Sequence, residues 1–267
     1  FFGLLVQAHY RTTPSDLHRL LDAPNLRLHA LLWRGHVVAA TWIAREGDLT
    51  PEICDELYTG QRRLRGHALP EVLATKLGYA QAAELTMIRS VRIAVHPALR
   101  RRGLGSQLVA CVHQSYEPDL FGTLFGATPG LIAFRRSVGY QAVRIGTARG
   151  RRTGEPSVTM LRPRSDRART LVDRLRCDFA RKLGGQLELM RADGGPRLPA
   201  DLEASLGEGL ADVEPLPMPE MLDHVYHFAY GPRTYESAAF AVEAYVRAHR
   251  RQWGALPARV RAVVRQR

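Results

Sequence analysis

The chain reads as a mixed α/β protein followed by a mainly helical C-terminal region. Three observations carry this. Up to Pro163, short apolar runs alternate with turn residues. A glycine-containing turn at 100–105 separates a strand pattern from a helix pattern. Beyond Pro163, apolar residues recur at helical spacing with no strand-like alternation.

Taken in order, residues 2–9 are expected as a strand. Thr13-Pro14-Ser15-Asp16 then supplies capping chemistry for a helix with Leu17, Leu20 and Leu21 on one face. Apolar runs at 26–33 and 37–45, joined by Arg34-Gly35-His36, suit an antiparallel hairpin. A helical stretch is expected over 51–85, interrupted by the basic segment 60–70. Val91, Ile93 and Val95 alternate on one face of a strand ending at His96-Pro97, after which Leu104, Leu108, Val109 and Val112 follow a helical period. Residues 120–127 read as another strand, 129–137 as a helix with Pro129 in its first turn, and 143–148 with 157–161 as a closing strand pair. Leu171, Leu175, Phe179 and Leu183, spaced by four, mark one later helix, and Phe240, Val242, Tyr245 and Val246 another. Pro and Gly clusters at 194–199 and 214–219 separate them, and the change of character places a domain boundary near residue 164, dividing 1–163 from 164–267.

With 45% hydrophobic residues the 267-residue chain can bury a real core, and its 24% charged residues form no like-charge block, which excludes extensive disorder. No apolar run approaches the ~20 residues of a membrane span, and no leader pattern precedes a cleavage site, so the expectation is a soluble, cytoplasmic protein without membrane partners. Cys54, Cys111 and Cys177 are odd in number and widely spaced, as ordinary thiols are, and neither they nor the histidines show metal-ligand spacing. A formal charge of +12 suits a polyanionic partner. All 38 basic residues except Lys76 and Lys182 are arginine, however, a bias that genome composition also produces, so charge alone leaves nucleic-acid binding open. The apolar run starts at once after Phe1, which gives the expectation of a piece of a longer protein.

Arg100-Arg101-Arg102-Gly103-Leu104-Gly105 lies between strand and helix, where successive backbone N–H groups converge on an anion and the helix dipole adds attraction. It matches the [Q/R]-x-x-G-x-[G/A] signature of GNAT acetyltransferases, whose loop grips the coenzyme A pyrophosphate. The resemblance implies a GNAT fold with a central mixed, mostly antiparallel sheet flanked by helices. It also implies acetyl-CoA held by Ile93, Ala94 and Val95 of a splayed strand and by Arg100, Arg101, Arg102, Gly103, Leu104, Gly105 and Ser106.

Four ordered segments narrow the resemblance: Ala8-His9-Tyr10-Arg11-Thr12-Thr13-Pro14-Ser15-Asp16-Leu17, Gly60-Gln61-Arg62-Arg63-Leu64-Arg65-Gly66-His67, Val91-Arg92-Ile93-Ala94-Val95-His96-Pro97 and Phe125-Gly126-Ala127-Thr128-Pro129. Together they resemble the tRNA(Met) cytidine acetyltransferases over roughly residues 1–163, with a looser likeness in the helical tail. The resemblance implies acetylation of the exocyclic N4 of the wobble cytidine of elongator tRNA(Met). It further implies ATP use only in a helicase-like module preceding the acetyltransferase; no G-x-x-x-x-G-K-[ST] occurs in this chain. Two positions depart from the family pattern. Gly130 replaces an acidic residue, and Ser137 replaces an arginine, both at places associated with acetyl-CoA contacts, with Arg135 and Arg136 as candidate substitutes for the lost charge.

An aromatic amine acylated at N4 must lose a proton, so a base is needed. His9, with Tyr10 beside it to donate a proton to the leaving thiolate, is one candidate, and the alternatives for His9 are a core position or an RNA phosphate contact. His96 is a rival base, or else only ends its strand together with Pro97. Arg62, Arg63, Arg65 and His67 form a compact basic element suited to tRNA phosphates, or a solvated face. Arg174, Arg176, Arg181, Arg247, Arg250 and Arg251 would extend it, while Phe240, Tyr245 and Trp253 read as core. Two other readings share the fold: a GNAT enzyme acting on a protein or small amine, and a degenerate GNAT domain that only binds RNA.

Overall fold

A computed structural model describes residues 2–4, 18, 22–149, 154–192, 198–214 and 216–249. Strands β1 (Leu26–Trp33) and β2 (His36–Gly47) form the expected hairpin, closed by Arg34 and Gly35 at φ 48° and 79°, the paired left-handed conformation that a two-residue hairpin turn requires. Helix α1 (Pro51–Tyr58) starts with proline in its first turn. After the basic break the chain turns helical again at α2 (Ala68–Glu71), a π-helical turn (Val72–Lys76) and a 3-10 turn (Ala80–Glu84). Strand β3 (Thr86–Val95), helix α3 (Leu104–Ser115), strand β4 (Leu120–Gly126), helix α4 (Pro129–Ser137) and strands β5 (Gln141–Arg149) and β6 (Pro156–Pro163) follow. The tail is helical: α5 (Asp166–Ala192), α6 (Ala200–Gly207), α7 (Met218–Ala229) and α8 (Tyr235–Ala248).

The six strands form one sheet in the order β1-β2-β3-β4-β6-β5, antiparallel throughout except for β3 and β4. A mixed, mostly antiparallel sheet flanked by helices is the architecture expected from the sequence.

One face of the sheet packs Ile43, Ile88 and Phe121 beneath Val109 and Val112 of α3 and Ile132 of α4. Phe121 and Ile132 are fully enclosed, and each such side chain contributes about 1.5–3 kcal/mol through lost contact with water. The opposite face packs Met87, Leu120, Val143 and Leu161 against Leu69, Leu73 and, from α5, Ala168, Val172 and Leu175. Further along, Phe179 and Leu183 join the first cluster, so the long helix serves both cores.

Two local expectations are corrected. Residues 2–4 are helical rather than extended, and Leu4 packs on Ala40, Trp42 and Ala94; a short apolar run does not by itself distinguish the two states. The rest of the expected first strand lies outside the described residues. Of the helix around Leu17, only His18 and Asp22 are described, both helical. The second correction concerns Val91, Ile93 and Val95, which do not share one face. Trp42 pairs with Arg92 and Ile43 with Ser90, leaving Val91 as an extra bulged residue. Val91 therefore packs with Trp42 and Ala94 on one side, while Ile93 packs with the α3 cluster on the other.

Candidate active site

Between β3 and α3 the chain passes through a 3-10 turn (Pro97–Leu99) and then two left-handed residues, Arg101 at φ 60° and Gly103 at φ 79°. For a non-glycine residue that conformation costs about 1–2 kcal/mol, and here it bends the loop so that α3 begins abruptly. Gly103 occupies the N-cap position and has no side chain to cap with; the first helical bond runs from the Gln107 amide to the Gly103 carbonyl at 2.9 Å. The amides of Leu104, Gly105 and Ser106 precede any intrahelical acceptor. Helix α4 shows the contrast: Thr128 Oγ1 accepts the Leu131 amide at 3.3 Å, and Pro129 fills the first turn. The start of α3 thus keeps amide donors and the positive end of its dipole facing outward. Arg100, Arg101 and Arg102 beside it are exposed, and among the described residues none of their guanidinium groups has an ion-pair or hydrogen-bond partner. This donor set fits a pyrophosphate.

Strands β3 and β4 pair in parallel only from Met87–Leu120 to Ser90–Thr123, where Thr123 Oγ1 also donates to the Ser90 carbonyl at 3.3 Å. Beyond that point β3 stays with β2 to Val95, and β4 stays with β6 to Gly126. The fork starts beside the Val91 bulge, which adds local twist to β3. Ile93, Ala94 and Val95 form its β3 side. A Cβ on Gly105 would lie 3.6 Å from Val95 Cγ2 and 3.4 Å from the Phe134 ring, so the loop, the end of β3 and α4 meet at the mouth of the fork.

Beneath the fork lies Arg135, one of the two arginines named above as substitutes for a lost charge. Arg135 is 5% exposed; its Nη2 donates to Ser90 Oγ at 2.9 Å, and its guanidinium stands 5.4 Å and 5.5 Å from the Phe134 and Tyr140 ring centres. Arg135 Nη1 is buried with no partner. Burial pulls the Arg135 pKa down, and burial followed by the charges of Arg162 and Arg135 pushes His113 down to about 4, beside the Tyr140 hydroxyl at 3.2 Å. Arg136 pairs with Glu208 of α6 and donates to the Ser205 carbonyl. Both arginines next to Ser137 are therefore engaged inside the fold. Gly130 is exposed and has open space where a side chain would stand.

His9 and Tyr10 lie outside the described residues. His96 is exposed at the end of β3, and its amide donates to the Val38 carbonyl at 2.9 Å, closing the ladder. In the basic element, Arg62 pairs with Glu56 at 2.7 Å, whereas Arg63 and Arg65 are exposed without ion-pair partners among the described residues. His67 Nδ1 accepts the Gly47 amide at 3.1 Å and so fastens the element to β2. The described tail arginines have partners within the chain, although Arg174 and Arg247 remain exposed. Arg176 donates to the Gly209 carbonyl, Arg181 to Asp178 and the Glu214 carbonyl, Arg174 lies over Tyr79, and Arg247 pairs with Glu243. Phe240 packs against His224 and Lys182, as a core residue does. Arg250, Arg251 and Trp253 lie outside the described residues. Among the described residues no helix is long and apolar enough to cross a membrane.

A family profile described as GNAT acetyltransferase 2 matches residues 1–121. Curated relatives described as tRNA(Met) cytidine acetyltransferase TmcA include one from Nitrosococcus halophilus, 41% identical over 239 residues, spanning 88% of this chain and 32% of that protein. Another, from Haloferax volcanii, is 40% identical over 89% of this chain and 31% of its own length. A third, from Haloarcula marismortui, is 46% identical over 70% of this chain and 24% of its own length. The chain thus spans about a third or less of these relatives. A GNAT domain implies acetyl-CoA as the acyl donor. With its matching profile, its relatives and a forked sheet behind an uncapped helix, the chain belongs to the tRNA(Met) cytidine acetyltransferase family.

Proposed function

We propose that this chain transfers acetyl from acetyl-CoA to the exocyclic N4 of the wobble cytidine of elongator tRNA(Met), as part of a longer enzyme whose use of ATP belongs to another module. The observation that carries the proposal is the pairing of an uncapped α3 start with a β3–β4 fork that opens at Ser90–Thr123. The names of the relatives supply the acceptor.

Bound acetyl-CoA supplies an activated acetyl group as a thioester. Residues of the chain do the rest. The amides of Leu104, Gly105 and Ser106, with Arg100, Arg101 and Arg102, hold the pyrophosphate. The backbone of Ile93, Ala94 and Val95 lines the fork and orients the pantetheine arm, and a backbone N–H near Val95 stabilises negative charge developing on the acyl oxygen. His9 takes the proton lost by N4, and the Tyr10 hydroxyl delivers one to the leaving sulfur. His96, on the exit of β3, is the second candidate for the base. Arg62, Arg63, Arg65 and His67 bind RNA, Arg63 and Arg65 through phosphates and His67 by holding the element in place. Residues 1–163 constitute the acetyltransferase unit, and residues 164–267 a helical tail that extends the RNA-binding surface.

The test is acetyl transfer from labelled acetyl-CoA to elongator tRNA(Met), to a transcript with the wobble cytidine replaced, and to a polyamine, by this chain and by the full-length enzyme with ATP. Label confined to the intact cytidine supports the proposal. Transfer to the polyamine alone replaces it with a small-amine enzyme. No transfer by either protein, with RNA still bound, leaves a degenerate GNAT domain that binds RNA, the reading that Gly130 and Ser137 favour.

A further inference from the structure

We propose that the Ser90 hydroxyl, polarised by the buried guanidinium of Arg135, donates a hydrogen bond to the sulfur of the acyl donor as the carbon–sulfur bond breaks. Ser90 meets the reacting atoms, and Arg135 is the positioning residue behind it. The proposal deepens the cytidine acetyltransferase reading and rests on it. In the step the bond from N4 to the acyl carbon forms and the carbon–sulfur electron pair passes to sulfur. His9 takes the N4 proton and Tyr10 supplies one to sulfur, while Ser90 and Arg135 keep theirs throughout.

Reach is the first argument. A Cβ on Gly105 would stand 3.6 Å from Val95 Cγ2, so the anion-binding turn sits against the outer end of β3. A pantetheine arm joins pyrophosphate to sulfur through about twelve bonds, the length of roughly four extended residues or ~14 Å. Laid inward from Val95, that length ends at Val91, the bulged residue beside Ser90. Ser90 with Thr123 is the last rung of the β3–β4 ladder. The sulfur end of the arm therefore falls at the closed root of the fork.

Proton accounting is the second. Ser90 Oγ accepts from Arg135 Nη2 at 2.9 Å, and a guanidinium has no lone pair with which to accept in return. The Ser90 hydroxyl thus keeps its own proton to donate, and among the described residues no acceptor receives it. A hydroxyl that accepts from a cation is also a stronger donor, because the first bond polarises the second. Ser90 is held on two sides: Thr123 Oγ1 donates to its carbonyl at 3.3 Å, and Arg135 holds its side chain. At 8% exposure it is almost wholly screened from bulk water.

Charge is the third. Two other enclosed cations have a carboxylate: Lys182 has Asp178 at 3.6 Å, and Arg144 has Glu236 at 2.9 Å. Arg135 has none among the described residues, and its Nη1 is buried without a partner. A guanidinium stays protonated inside a protein, so a positive charge without a counterion stands behind Ser90. Negative charge developing on sulfur supplies that counterpart, and the attraction is strong in a poorly polarisable interior. The uncharged thioester gains little from it. The effect therefore falls on kcat and not on KM.

The experiment uses the full-length enzyme with CoA as the probe. It reads the thiol pKa of bound CoA from the ultraviolet absorbance of the thiolate, together with CoA affinity by calorimetry and kcat and KM for acetyl-CoA. In the wild type the thiol pKa is expected to lie about one unit below that of free CoA, a tenfold gain in thiolate. Ser90→Ala and Arg135→Gln are each expected to remove most of that shift and to lower kcat about tenfold, with KM for acetyl-CoA unchanged. Arg135→Lys, which keeps the charge, restores part of both. If Arg135→Gln does not fold, Ser90→Ala decides, since it removes a single hydroxyl. Variants that bind CoA with the wild-type thiol pKa, whatever their melting temperatures, overturn the role of the pair and leave the acetyltransferase reading standing. If the shift is present and lost as expected but no cytidine is acetylated, the RNA reading falls and the pair remains a thiolate site. A wild type that binds no CoA overturns both.

Discussion

Replacing Gly105 by alanine should move stability and cofactor binding in opposite directions. Gly105 sits in the first turn of α3 with an ordinary helical φ, and its added methyl would meet only Val95 and Phe134 at 3.6 Å and 3.4 Å. Those are normal contact distances, so the unliganded protein gains about 0.4–1 kcal/mol from the lower entropy of its unfolded chain. At about 2–4 °C per kcal/mol for a chain of this size, its melting temperature rises by roughly 1–4 °C. The same methyl stands at the mouth of the fork. For the wild type, acetyl-CoA at 100 times its Kd adds about 2.7 kcal/mol, a rise of roughly 5–11 °C, and in Gly105→Ala that rise should disappear. Gly103→Ala is the companion variant: φ 79° makes alanine cost about 1–2 kcal/mol with no collision, so its unliganded melting temperature falls. Differential scanning fluorimetry with and without acetyl-CoA reads all four numbers. A Gly105→Ala protein that keeps the full ligand-induced rise would refute the placement of the cofactor at the start of α3.

Stability should fall on acidification below pH ~6.5. His224 Nδ1 faces the Arg233 guanidinium, and burial, then the charges of Lys182 and Arg233, push its pKa down to about 3. The unfolded chain then binds more protons from pH ~6.5 downward, so this contribution is complete above that pH and declines by up to about 1.4 kcal/mol per pH unit. His113 adds a shallower, solvent-screened term of the same sign. Urea unfolding between pH 7.5 and 4.5 measures the slope, and a His224→Gln protein with the wild-type slope would remove His224 from the explanation. Gly47→Ala should cost more than about 3 kcal/mol, because φ is 80° and the new Cβ collides with the Leu85 carbonyl; normal urea stability would contradict this. Ser137→Arg should tighten acetyl-CoA binding about tenfold, since a new exposed cation at the end of α4 contributes a charge-assisted hydrogen bond. Calorimetry showing an unchanged Kd would place Ser137 away from the cofactor.

Features encoded within a few residues of one another were legible in the sequence. Arg34-Gly35 announces a hairpin, Thr128-Pro129 announces a helix that runs over Pro129–Ser137, and Gly103 and Gly105 mark the turn into α3. What escaped depends on partners distant in sequence. The bulge at Val91 exists only in relation to Trp42 and Ile43 on another strand, so alternation alone put Val91 and Ile93 on one face. Arg135 looks like a surface cation until Phe134, Tyr140 and Ser90 close around it. Arg176 and Arg181 looked wholly available for RNA, because neither the Gly209 nor the Glu214 carbonyl that receives them is recognisable as an acceptor from composition.

The bulge makes the number of residues in β3 matter more than the side chain at one of them. Ser90 and Arg92 keep adjacent partners on β2 whether or not Val91 intervenes. Many apolar side chains can fill the place of Val91 against Trp42, but removing the residue would let the ladder run without interruption and deprive β3 of its local reason to turn away from β4. The opening between the strands is thus specified by a surplus peptide unit, a quantity that substitution leaves intact and a one-codon deletion erases.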